Sequence, residues 1–97
     1  MKKMGSEKIN LSIRFFAILR EIVGSSRLSI HINHGNSIVD VIGDLILTYD
    51  GLKKHLYTNN TINTQFVYVL NGEGTSSFDT ILKDNDELAI LPPSGGG

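Results

Sequence analysis

Glu87-Leu88-Ala89-Ile90-Leu91-Pro92-Pro93-Ser94-Gly95-Gly96-Gly97 closes this sequence of 97 residues. Glu87–Leu91 reads as a last strand. Pro92-Pro93 ends it, because proline offers no N–H to a ladder and fixes an extended backbone. Lys83-Asp84-Asn85-Asp86 in front of the strand is a turn. A strand, a stiff stop and a run of glycine leave the last carboxylate at the end of an unhindered arm.

The start of the chain supplies a partner for that strand. Ile9, Leu11, Ile13 and Phe15 alternate with Asn10, Ser12 and Arg14, the period of a half-buried strand. Ala17–Val23 changes to a short helical turn stopped by Gly24. Arg27–Ile32 alternates again, so hairpin-like pairing with the first strand is expected. His34-Gly35-Asn36-Ser37 is a turn in which Asn36 or Ser37 can cap the next helix. Ile38, Val41, Ile42, Leu45, Ile46 and Tyr49 then recur at helical spacing. Gly43 costs about 1 kcal/mol against alanine there, so close approach to the sheet is the expected reason for it. Leu52–Tyr57 reads as one more turn and Thr58–Thr64 as a surface loop. Gln65–Leu70 is a strand ending in the reverse turn Asn71-Gly72, and Thr75–Asp79 a further short strand.

This order predicts an α+β fold, with one main helix on a mixed sheet. Parallel pairing of the first and last strands would make it a ubiquitin-like β-grasp, which periodicity alone does not decide. The expected division is a loose extension over 1–8, one domain over 9–93 and a flexible tail over 94–97.

Composition narrows the function. Hydrophobic residues make up 40% and charged residues 20%, the balance of a globular chain, and the net charge of −1 argues against nucleic acid as a partner. With no cysteine, disulfides, thiolate metal sites and catalytic thiols are excluded. No apolar run approaches the roughly 20 residues of a membrane span, so no membrane partner and a cytoplasmic location are expected. His31, His34 and His55 lack metal-ligand spacing, and no metal or bound cofactor is expected. Asp84, Asp86 and Glu87 lack the ligand count of a calcium loop and read as a solvated turn. Asn71-Gly72-Glu73-Gly74 lacks the lysine and helix of a phosphate cradle.

The tail is the chemical feature. Fully extended, Ser94 to Gly97 reach about 13 Å at roughly 3.3 Å per residue, enough to thread a channel that side chains would block. A terminal carboxyl with a pKa near 3.5 is ionised at neutral pH and can attack the α-phosphate of ATP. The acyl adenylate formed is reactive toward sulfur or amine nucleophiles.

Three stretches carry a resemblance: Ile13-Arg14-Phe15-Phe16-Ala17-Ile18-Leu19-Arg20-Glu21-Ile22-Val23-Gly24, then Val69-Leu70-Asn71-Gly72, then Leu82 to Gly97. Together they resemble the molybdopterin synthase small-subunit type of the ubiquitin-like sulfur-carrier superfamily, over roughly Ile9 to Gly97. Asn85 stands where that family usually has glycine, and asparagine is the residue next best suited to φ > 0. Ser94-Gly95 replaces a more common Val-Ser or Val-Thr.

The resemblance implies that Gly97 is adenylated by a ubiquitin-activating-type enzyme and converted to a thiocarboxylate. It implies that Ser94, Gly95 and Gly96 thread into the partner, the large subunit of molybdopterin synthase, and that most catalytic side chains belong to that partner. The chain is then a sulfur-carrying subunit in molybdenum or tungsten cofactor synthesis, not catalytic alone. Phe16, Leu91, Pro92 and Pro93 would form the docking contact; Phe16 is equally compatible with a second packing layer under the short helix. Arg20 reads as a solvated charge or a partner contact. A ubiquitin-like modifier joined to lysines has the same tail and stands as the alternative. So does a carrier for tRNA thiolation or thiamine, although Pro92-Pro93 counts against thiamine. A plain interaction domain is the remaining one.

Overall fold

The computed structural model describes residues 7–93. β1 (Lys8–Phe15) leads through α1 (Ile18–Val23) to β2 (Arg27–Asn33), then to the main helix α2 (Ile38–Thr48). A 3-10 turn at Asp50–Leu52 and α3 (Lys53–Leu56) follow, then the two-residue strands β3 (Tyr57–Thr58) and β4 (Thr61–Ile62). β5 (Val67–Leu70), β6 (Glu73–Thr75) and β7 (Asp86–Leu91) are the last elements among the described residues.

Among the described residues the main sheet has five strands, in the order β2-β1-β7-β5-β6. β1 and β2 are antiparallel with Ile13 opposite Leu28, and β1 runs parallel to β7 with Ile13 opposite Leu88. That parallel centre, with α2 across one face, makes the fold a ubiquitin-like β-grasp. β1 begins at Lys8, one residue ahead of the expected start, and the preceding Glu7 carbonyl accepts from His34 N–H at 2.9 Å. Leu11, Ile13 and Phe15 of β1 meet Leu88 and Ile90 of β7, Tyr68 of β5 and Val41, Ile42 and Leu45 of α2 in the core.

Local chemistry explains the joints. Ser37, not Asn36, caps α2: its hydroxyl accepts from Asp40 N–H while the Asp40 carboxylate accepts from Ser37 N–H, a reciprocal capping box. The other free N–H groups of the first turn, on Ile38 and Val39, donate to the carbonyls of Thr80 and Phe78. The segment before β7 is thereby stapled to the helix start, and no donor there is left unmet.

The turn into β7 sets the parallel register. Asp84 accepts from Asn10 N–H at 2.8 Å, and Asn85 N–H donates to the Asn10 carbonyl at 2.8 Å. Asn85 has φ 69°, so asparagine does take the left-handed position.

Several expectations need correction. Thr58–Thr64, expected as a surface loop, holds most of the β3–β4 hairpin, in which Tyr57 pairs with Ile62 and the turn is made by Asn59 and Asn60 at φ 53° and 65°. Positive φ at both central residues is the hairpin-favoured turn, which asparagine enters more cheaply than other side chains. The short strand expected at Thr75–Asp79 is β6, Glu73–Thr75, paired with β5 through Asn71-Gly72. Gly43 is not pressed against the sheet: a Cβ there would meet only the Tyr57 hydroxyl, at 3.8 Å.

Candidate functional site

The end of β7 presents a site on the face of the sheet away from α2. Side chains alternate along β7, with Asp86, Leu88 and Ile90 buried and Glu87, Ala89 and Leu91 half-buried. Register then builds the surface. Leu91 lies opposite Val67 and Ala89 opposite Val69 on β5, while Ala89 faces Arg14 across β1. Val67 is 43% exposed, a large apolar side chain standing in solvent next to Leu91. Pro92 and Pro93 are half-buried and continue directly from this row.

Phe16 belongs to the same outer surface. It is absent from the core and from the side chains packed on it, and the Arg14 guanidinium carbon lies 5.1 Å from its ring centroid. A cation over a ring face is held by the ring quadrupole, and the half-buried ring keeps that face toward Arg14. Its placement follows from Ala17, whose φ of 55° and ψ of −128° turn the chain sharply from β1 into α1. Phe15 and Leu19 are left buried on the inner side of that turn. Such a backbone suits glycine, and holding alanine there costs on the order of 1–3 kcal/mol.

Toward β2 the same face becomes polar. Arg27 donates to Ser12 Oγ at 2.8 Å and pairs with Glu87 at 3.0 Å. Both partners are well exposed, so the pair orders the surface more than it stabilises the fold. Arg20 is exposed and makes no ion pair among the described residues.

The base of β7 is braced from β5. Asn71, at φ 51°, donates from Nδ2 to Asp86 Oδ1 at 2.9 Å, and its Oδ1 accepts from Glu87 N–H at 2.9 Å. The other Asp86 oxygen accepts from Lys83 N–H. These acidic groups serve the turn. Among the described residues no cluster of His, Asp or Glu could hold a metal ion, and no helix is long and apolar enough to cross a membrane. Tyr68, under the strand, has its phenol pushed up to about 12 by burial and, less, by Tyr57 nearby.

Leu91 stands on the outer face beside Val67, Phe16 lies against Arg14 of the same face, and Pro92 and Pro93 follow Leu91 directly in the chain. Ser94, Gly95, Gly96 and Gly97 lie outside the described residues. Sequence reasoning did not single out Val67, Val69 and Ala89. The signal was the alternation of Val67 and Val69 with inward Tyr68 and Leu70, which puts apolar side chains on both faces of β5.

The profile of the ThiS family matches residues 13–97. This chain belongs to the ThiS family. Small archaeal modifier protein 3 of Haloferax volcanii is 30% identical over 92 residues, spanning 92% of this chain and 100% of the relative. The molybdopterin synthase sulfur carrier subunit of Arabidopsis thaliana is 27% identical over 92 residues, spanning 95% of this chain and 88% of the relative. The solution structure of small archaeal modifier protein 1 from Methanosarcina acetivorans matches with a TM-score of 0.80 and 26% identity, over 95% of this chain and 100% of that one. The chain thus belongs to a ubiquitin-like family in which these relatives are named as modifier proteins and as a sulfur carrier subunit.

Proposed function

We propose that this ThiS-family chain carries sulfur on the carboxylate of Gly97 and delivers it as the small subunit of a molybdopterin synthase. The observation that carries the reading is the continuity of the outer apolar row, Val67, Val69, Ala89 and Leu91, with Pro92-Pro93 and the glycine arm. A partner seated on that row receives the arm at its own active site. The stiff prolines set the direction, and glycine keeps the arm narrow.

The chemistry is that of an acyl carrier. A carboxylate oxygen of Gly97 attacks the α-phosphorus of ATP in a separate activating enzyme and pyrophosphate leaves. A sulfur nucleophile then displaces AMP, giving a thiocarboxylate. Inside the large subunit the thiocarboxylate sulfur attacks the pterin precursor, and hydrolysis returns the carboxylate. This chain supplies the docking face, the arm and the reacting carboxyl; acids and bases come from the partner. No cofactor is required on the chain itself, and activity in the cytoplasm is the setting that fits.

A second reading, conjugation to lysines, is favoured by one observation: the relative at 30% identity is a small archaeal modifier protein. The two readings diverge at the nucleophile. Mass spectrometry of this chain, purified from its host, is expected to show a fraction heavier by the difference between sulfur and oxygen and sensitive to alkylation. Gly-Gly remnants of this tail on cellular lysines, with no sulfur-bearing fraction, would favour the modifier instead.

A further inference from the structure

β2 is the outermost strand of the sheet on its side, and nothing among the described residues pairs with its far edge. The phase of its hydrogen bonds is set at both ends, where Phe15 N–H donates to the Ser26 carbonyl and His34 N–H to the Glu7 carbonyl. In an antiparallel ladder alternate residues bond inward. Leu28, Ile30 and Ile32 therefore bond to β1, and the backbone groups of Ser29 and His31 turn outward. The flanking positions are already engaged: Ser25 Oγ bonds both the N–H and the carbonyl of Arg27, and the Asn33 carbonyl accepts from Asn36 N–H. The middle of the edge carries no proline, lysine or bulge of the kind that usually blocks an open strand.

Directly beneath that edge, between β2 and α2, runs an apolar groove of about 140 Å³. Leu28, Ile30, Ile32, Val41, Leu45 and Tyr49 supply its apolar wall. Asp44 and Thr48 form its helix-side rim. Asp44 is exposed and its carboxylate has no ion-pair partner among the described residues. The other free edge, β6, is three exposed or half-exposed residues.

We propose that the β2 edge and this groove form a second docking site, which takes an extended segment of a partner protein as an added strand. The segment pairs with the outward N–H and C=O groups of Ser29 and His31. Its alternate residues, β-branched and small enough for the groove, face α2, and a lysine or arginine among them meets Asp44. Main-chain bonds supply affinity and the alternate side chains supply selectivity, as in strand addition generally. The site lies on the opposite side of β2 from the β1–β7–β5 surface and does not involve the tail. A carrier so built can hold one partner by its edge while its arm serves another.

The test is a titration of the ¹⁵N-labelled full chain with the peptide acetyl-Thr-Val-Thr-Ile-Thr-Lys-Thr-amide, followed by amide shifts and by amide exchange. Saturable shifts confined to Leu28–Asn33 and Val41–Tyr49, with slowed exchange at Ser29 and His31, are expected. Asp44→Lys is expected to weaken binding about threefold or more, the scale of an exposed ion pair, and glutamate in place of the peptide lysine to do the same. Ser29→Pro removes an outward N–H that β1 does not use, so the fold survives and binding is lost. No saturable shift at millimolar peptide, or shifts centred on Val67, Val69 and Leu91, would overturn the proposal. So would reversible dimerisation of the chain that Ser29→Pro abolishes, since the edge would then be occupied by a second copy.

Discussion

Replacing Asn71 by alanine tests whether the brace at the base of β7 holds the strand that leads to the tail. Three costs can be read from the structure. The first is the bond from Nδ2 to Asp86 at 2.9 Å, made to a carboxylate that is 9% exposed; bonds to charged groups contribute about 1.5–3 kcal/mol. The second is the bond accepted from Glu87 N–H, a neutral one of about 1 kcal/mol. The third is the backbone at φ 51°, which costs alanine about 1 kcal/mol more than it costs asparagine or glycine. Because Asp86 keeps its bond from Lys83 N–H and water reaches the turn, the sum is discounted to about 3 kcal/mol.

Asn71→Gly keeps the left-handed turn and loses only the side-chain bonds, so it is expected to cost about 2 kcal/mol. Urea unfolding followed by circular dichroism gives both values. The ordering wild type, glycine, alanine, with an unchanged denaturant slope, is the expected result. Loss of under 0.5 kcal/mol for alanine, or alanine more stable than glycine, would refute the brace.

Other outcomes follow from the same geometry. Val67→Asp places a charge beside Leu91 on the outer face and is expected to leave thermal stability nearly unchanged. It should weaken binding to a molybdopterin synthase large subunit by about 100-fold, the scale of a lost interface anchor, in titration calorimetry. Ala17→Gly relieves the backbone at φ 55° and is expected to raise stability by about 1 kcal/mol, after the added freedom of the unfolded chain is subtracted; a lower melting temperature would contradict the strain. Tyr68 ionises at about 12 in the folded chain and near 10 once unfolded. Between those pH values the folded state holds a proton that the unfolded state has lost, so stability falls by roughly 1.4 kcal/mol per pH unit there. Tyr68→Phe should remove that component of alkaline unfolding. It should also cost about 1 kcal/mol at neutral pH, because the hydroxyl donates to the Asn63 carbonyl.

The strands and helices were legible because their signals are local. Alternation from Ile9 to Phe15, helical spacing from Ile38 onward, a cap at Asn36 or Ser37 and a stop at Gly24 each specify an element within a few residues. The β3–β4 hairpin was legible in principle, since Asn59-Asn60 is a turn of the kind Asn71-Gly72 makes, but strands of two residues leave no period to read. The join of β1 to β7 spans most of the chain. It rests on tertiary contacts, above all Asn10 with Asp84 and Asn85, which no window of sequence displays.

The site was half legible for the same reason. Leu91, Pro92 and Pro93 stand in one continuous segment. Their neighbours Val67 and Val69 arrive from another strand, in a register that only the folded sheet sets. The β2 edge was invisible altogether, because being outermost in a sheet is a property of the whole topology.

The most direct test of the account is reconstitution of sulfur loading. The full chain is incubated with ATP, a ubiquitin-activating-type enzyme and a sulfur donor, and its intact mass is measured before and after addition of a large synthase subunit with pterin precursor. The account predicts replacement of one oxygen by sulfur at the C-terminus, its return to oxygen on addition of the large subunit, and no loading once Gly97 is removed. Loading that persists without Gly97, or a chain that is adenylated yet passes its carboxyl only to lysine amines, would contradict it.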